Sequence, residues 1–187
     1  MPDDPTKTAT AQYTYTFDGW YIGDTKVTDF GTVSGDVNYV AKFTQTVNKY
    51  LVTFYDEDGT TKIYDQEFEY GTTPTFDNTK APTKAATAQY TYTFAGFTTE
   101  FTTVTAAQTY TAKYTATVNQ YTYTFYNEDG KTVLKTLKDE YGKAITAPEN
   151  PTKAATAQYT YTFDGWYIGT EKITDFGTIT KDVEYVA

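Results

Sequence analysis

The segment Tyr-Thr-Tyr-Thr-Phe stands three times in the chain, at residues 13–17, 90–94 and 159–163. Rings and threonines alternate strictly, which is the period of a β-strand with one face turned to a core. Both residue types suit a pleated surface, Thr through its branched Cβ and Tyr through the flat area it packs. A chain that repeats this segment is committed to β-structure. The repetition also extends well beyond it. Pro5–Trp20 returns as Pro82–Phe97 and as Pro151–Trp166, at offsets of 77 and 69 residues. Thr46–Gly59 returns as Thr117–Gly130, at an offset of 71. The offsets differ because of small insertions: Asp18–Phe43 is six residues longer than Ala95–Tyr114, and Tyr70–Pro82 is two longer than Tyr141–Pro151. Residues 1–41 align with 147–187 without a gap, and 30 of the 41 positions are identical.

Self-similarity of this kind marks a tandem array of small units. The frame read here is a partial unit over 1–44 (the C-terminal part of a repeat), a full unit over 45–115 and a nearly full one over 116–187. A second frame, from Pro-Thr-Lys to Glu-Tyr-Gly, leaves the last 37 residues as the remainder. Met1 aligns with Ala147, inside a repeat, so the chain is expected to be a piece of a longer array. The partial first unit is expected either to be poorly ordered or to complete its sheet by pairing elsewhere.

Within the last unit, Tyr121–Tyr126 reads as a strand, Asn127–Gly130 as a hairpin turn and Val133–Tyr141 as the returning strand. Ala147–Lys153 is a proline-marked loop. Ala154–Gln158 is expected to add a helical turn, and Tyr159–Phe163 to be a third strand. Trp166 follows Phe163 by three residues, so Asp164-Gly165 predicts a β-bulge that returns the indole to the core side. Ile173–Ile179 is expected to hold one helical turn, and Val183–Ala187 opens a fourth strand. Each unit thus has about four strands in ~70 residues, a size at which a core is marginal. The core expected from the alternation is Tyr13, Tyr15, Phe17, Phe54, Tyr90, Tyr92, Phe94, Phe125, Tyr159, Tyr161 and Phe163.

Composition agrees with a core of rings. Leu, Ile, Val and Phe total 32 residues of 187, below the level of ~20% at which disorder becomes a concern. Against this stand 20 Tyr, 12 Phe and 2 Trp, each able to remove ~150–250 Å² from water. Between units the alternation slips phase by one residue, at Asn48-Lys49 and at Asn119-Gln120. No Gly or Pro occurs in 44–50 or 115–121, so these joins are expected to be short and stiff and the array rod-like.

Taken together, (Asp/Asn)-Glu-Asp-Gly after a strand, Glu-Tyr-Gly, Pro-Thr-Lys, Tyr-Thr-Phe-Asp-Gly-Trp and Tyr-Val-Ala-Lys-Phe resemble the Listeria–Bacteroides repeat, the B-repeat type of internalin B and other bacterial surface proteins. The resemblance covers nearly the whole chain. It implies a β-grasp-like (ubiquitin-like) fold in an extracellular protein of the bacterial cell surface, and it carries no catalytic residues. The middle unit departs from it, with Ala95-Gly-Phe97 where the others have Asp-Gly-Trp.

The residue inventory narrows the chemistry. With no His and no Cys, imidazole bases, thiol nucleophiles and Cys-based metal sites are unavailable. A net charge of -9 and the lack of Arg oppose nucleic-acid backbones. No apolar run approaches the ~20 residues of a membrane span. The acidic clusters Asp56-Glu57-Asp58 and Glu128-Asp129 lack the spacing of a calcium loop and fit hairpin turns. An isopeptide bond between Lys and Asn or Asp requires a buried set that sequence does not reveal. Neither a catalytic site, a cofactor nor a metal is therefore expected. The leading expectation is a non-catalytic stalk whose partners are neighbouring repeats of the same chain. The alternative is a multivalent module that binds a host protein or glycan through exposed rings, for which Trp20, Tyr21, Trp166 and Tyr167 are the candidates.

Overall fold

The computed structural model describes residues 3–32 and 34–187. It is nearly all β. Two compact units divide it: one runs to Pro82 and takes in Phe94–Lys113, and the other holds Thr83–Thr93 and Tyr114–Ala187.

In the first unit, β1 (Tyr13–Ile22), β2 (Thr25–Lys26) and β3 (Val40–Val47) form a sheet of order β2-β1-β3, with both pairings antiparallel. The strands of the partial repeat pair with one another, and among the described residues no strand from elsewhere joins their sheet. Its β1 takes the strand that the alternation of Tyr13, Tyr15 and Phe17 demands, and these rings lie half-buried. The register of β1 against β3 shifts between Phe17 and Gly19, at the first-copy counterpart of the bulge expected at Asp164-Gly165, where the described residues form no strand to carry one. The shift lets Trp20 rejoin Phe17, with ring centroids 5.8 Å apart and edge to face.

A second sheet of order β5-β4-β7-β6 contains β4 (Lys49–Tyr55), β5 (Lys62–Glu69), β6 (Tyr90–Phe97) and β7 (Gln108–Val118). β4 and β5 are the hairpin, and β4 pairs in parallel with β7. Its core gathers Val52, Phe54, Phe97, Val104, Tyr110 and Ala112, with Phe76, Phe94 and Phe101 packed around them. Phe54 is completely buried and touches five rings within 6 Å. Tyr90, Tyr92 and Phe94 are half-buried. The short segment Asn78–Lys80 is a 3₁₀ turn, capped by the Asp77 carboxylate on the Thr79 amide.

The second unit repeats the plan. β8 (Gln120–Tyr126), β9 (Val133–Glu140), β10 (Trp166–Ile168), β11 (Glu171–Ile173) and β12 (Val183–Val186) stand in the order β11-β10-β12-β8-β9. β8 and β9 are the hairpin, closed by Gly130 at φ 63° with its amide on the Asn127 carbonyl. β8 and β12 are the parallel pair. The core is Tyr123, Phe125, Trp166, Ile179 and Tyr185.

Three expectations fail in this unit. Tyr159–Phe163 belongs to no strand, and Tyr159 and Tyr161 are 57% and 40% exposed, where they were expected in the core; Phe163 is half-buried. The cause is the partner. The same segment is held in β1 by β3, whereas no described strand pairs with Tyr159–Phe163. Residues 154–158 form no helical turn but bend at 157–158, because the Thr156 hydroxyl accepts from the Tyr159 amide at 3.0 Å. Residues 173–179 are not helical either: Asp175 accepts from the Gly177 amide, and Thr178 forms a bridge to Ala144 that buries Ile179.

Candidate functional site

The Asp-Gly-Trp-Tyr corner holds all four aromatic candidates. Trp166 is buried, edge-on to Phe125 at 4.8 Å and to Phe163 at 5.4 Å. Trp20 is half-buried. Both indole N–H groups are shielded from water and find no acceptor. The Tyr21 hydroxyl donates to Asp18, whose other oxygen accepts from Lys26 at 3.1 Å. Tyr167, Asp164 and Lys172 repeat this set, with Lys172 at 2.9 Å. The tyrosine hydrogen bond, seconded by the lysine, holds each carboxyl below its usual range, and the carboxylate in turn raises both phenols. The Lys42 ammonium also lies 4.5 Å over the Tyr21 ring. The corner thus presents polar groups already engaged with one another, and one of its two indoles is inside.

The Pro-Thr-Lys motif has a comparable local role. Lys7 sits 4.0 Å over Tyr15, Lys84 4.3 Å over Tyr92 and Lys153 4.2 Å over Tyr161. Each ammonium meets the negative face of a ring.

The acidic turns hold themselves. Asp58 accepts from the Thr60 and Thr61 amides at 2.7 Å each, and Asp129 from the Lys131 and Thr132 amides at 2.8 Å each. Each also accepts from the following Thr hydroxyl, and these bonds pull both carboxyls down to about 2. Among the described residues no three His, Cys, Asp or Glu side chains converge as a metal site. No helix there is long and apolar enough to cross a membrane.

The most elaborate polar constellation lies at the phase slips. In the first unit the Asn48 side chain donates to the carbonyls of Thr10 and Ala11, at 2.8 and 3.0 Å, and accepts from Thr14 Oγ1 at 2.6 Å. Its backbone donates to Gln12 and accepts from Tyr70, and the Tyr50 hydroxyl adds a bond to Ala11 at 2.6 Å. In the second unit Asn119 does the same with Thr87, Ala88 and Thr91, its backbone bonds Gln89 and Tyr141, and Tyr121 reaches Ala88 at 2.7 Å. Sequence reasoning placed the slips but not these clamps. The signal was the recurrence of Asn-x-Tyr at each slip.

No family model and no curated protein matches the chain. Among solved structures it is similar to the streptococcal high identity repeats in tandem (SHIRT) domains 3-4 from a cell surface protein, with 16% identity and a TM-score of 0.33, over 73% of this chain and 95% of that one.

Proposed function

We propose that the chain is a non-catalytic spacer from a bacterial cell-surface protein, built of Listeria–Bacteroides-type repeats with a β-grasp-like strand order, and that it holds another domain away from the surface. The observation that supports this best is the recurrence of one clamp, Asn48 and then Asn119, wherever one sequence repeat runs into the next. A clamp that bonds every polar group of one Asn has a clear use in fixing a join, and it presents nothing reactive. The tyrosines and carboxylates of the Asp-Gly-Trp-Tyr corners are likewise bonded to one another rather than arrayed around a cleft. Small-angle scattering tests the reading. A spacer gives an elongated particle whose length grows by a constant increment as repeats are added, and a compact particle of the same mass refutes it.

A further inference from the structure

We infer that the free edge of β5 pairs with the free edge of β9 in a second copy of this chain, antiparallel and with Glu67 opposite Lys138. The contact goes beyond the spacer reading and does not depend on it.

β5 and β9 are equivalent strands of successive repeats, and each stands at the edge of its sheet. Each belongs to a hairpin that is complete within the chain. The segment before it is nearly the same in both repeats: Thr46–Gly59 and Thr117–Gly130 agree at 10 of 14 positions. The edge segments that follow, 60–72 and 131–143, agree at 4 of 13. What changes is the sign of the charge. Residues 60–72 hold one Lys against three acids, and residues 131–143 hold four Lys against two acids, so the net charge passes from -2 to +2. Charge on an edge strand ordinarily keeps sheets apart. Here the sign reverses between equivalent edges, so like edges repel and unlike edges attract.

The backbone is set for such a pairing. The Tyr70 amide bonds the Asn48 carbonyl, and the Tyr141 amide bonds the Asn119 carbonyl, at 2.8 Å each. Bonded pairs recur at every second residue of an antiparallel ladder. Tyr64, Gln66 and Phe68 therefore turn their backbone groups toward β4, and Asp65 and Glu67 turn theirs to the free edge. By the same count Thr136 and Lys138 face outward from β9. Among the described residues no backbone bond from outside the hairpins reaches these four, and their side chains are exposed.

Equivalent strands have their free edges on the same hand. A half-turn of one copy about the sheet normal brings β5 and β9 together antiparallel, with both cores on one side. With Glu67 opposite Lys138, Glu69 stands opposite Thr136, and on the core side Phe68 meets Leu137, both half-buried. Glu67 and Lys138 form no ion pair among the described residues, so each charge is available to the other. The one like-charged pair in this register is Asp65 with Glu140, and Asp65 already has the Lys62 ammonium at 2.7 Å. Main-chain bonds supply the affinity and the charges choose the partner edge, which is recognition by strand addition. Each copy offers one edge of each kind, so the contact is heterologous and association can continue past a pair.

Sedimentation velocity of the whole chain tests the contact. At an ionic strength of about 0.1 M the Debye length is ~10 Å, which screens the molecule's overall charge but spares neighbouring pairs. There the sedimentation coefficient should rise with protein concentration up to about 1 mM, the range of a weak contact. At about 1 M salt, with a Debye length of ~3 Å, the rise should shrink. Glu67→Lys and Lys138→Glu, each alone, should weaken association at least about tenfold, or ~1.4 kcal/mol. An equimolar mixture of the two should recover it, because one variant then carries two basic edges and the other two acidic ones. The double variant should recover it within one chain. Cross-relaxation between a labelled and an unlabelled copy should link 65–69 to 136–140. The inference is overturned if the parent sediments as a monomer throughout, if salt leaves its association unchanged, or if either single variant associates as the parent does. It is overturned too if the mixture and the double variant stay as weak as the single variants. An elongated particle that stays monomeric removes this contact and leaves the spacer reading standing.

Discussion

Phe125 and Tyr185 lie nearly face to face, with centroids 4.9 Å apart and planes 16° off parallel, on neighbouring strands of the parallel pair β8 and β12. Phe54 and Tyr110 hold the same relation across β4 and β7, at 5.9 Å and 24°. These stacks join the first hairpin of a repeat to its last strand. Phe125→Ala should destabilise the second unit by ~3–5 kcal/mol, since nothing nearby can collapse into the space of a completely buried ring. Phe125→Leu should cost clearly less. Urea unfolding followed by near-ultraviolet circular dichroism measures both.

Removing the clamp should act locally. Asn119→Ala leaves the exposed carbonyls of Thr87 and Ala88 to water instead of the Asn amide, at a cost of ~0.5–1.5 kcal/mol. Asn119→Asp should be at least as harmful, because a carboxylate replaces the two N–H donors and faces carbonyl oxygens. The expected readout is faster hydrogen exchange at residues 87–91 and earlier proteolytic cleavage there, with the core of the first unit unaffected.

The acidic turns predict a pH dependence with a definite sign. Asp58 and Asp129 fall from an ordinary 3.8 to about 2 in the folded chain. A depressed carboxyl contributes stability that is present above the unfolded value and lost as pH drops through the folded one. Stability should therefore decline between about pH 4 and pH 2. The double variant Asp58→Asn, Asp129→Asn should flatten that slope while lowering stability at neutral pH. Thermal melts across the interval show the difference.

The two indoles should respond differently to substitution and to quenchers. The middle repeat has Phe97 where the others have Trp20 and Trp166, and Phe97 is buried without an N–H to satisfy. Trp166→Phe should stay within ~1 kcal/mol of the parent, the lost area being offset by removal of an unpaired donor. Trp166→Ala should lose ~3–5 kcal/mol. Emission from Trp166 in a Trp20→Phe background should be blue-shifted and resist acrylamide. Trp20 alone should be more accessible.

The alternation around Phe54 and Phe125, the Glu-Asp-Gly hairpins and the bulge before Trp20 could be read from residue types, because each depends on neighbours within a few positions. Tyr159 and Tyr161 carry the same local pattern as Tyr13 and Tyr15, yet lie exposed. Their burial depends on a distant strand that local pattern does not contain. The helical turns expected at 154–158 and 173–179 gave way to side-chain bonds, from Thr156 and Asp175, that compete with helix geometry. The clamps escaped for the opposite reason. Asn48 and Asn119 looked like breaks in a pattern, whereas the break is the place where the side chain turns back to bind the preceding loop.

The parallel pairing of β4 with β7 has a mechanical meaning. β4 begins the middle repeat and β7 ends it, and they run in the same direction over Val52–Tyr55 and Gln108–Thr111. Tension applied at the two ends of the repeat drags these strands past each other along their length. The bonds between them are loaded together in shear and must rupture as a group, whereas strands drawn apart from one end unzip a bond at a time. Resistance to pulling is set by the unfolding barrier rather than by equilibrium stability, so a repeat with a modest core can still bear load.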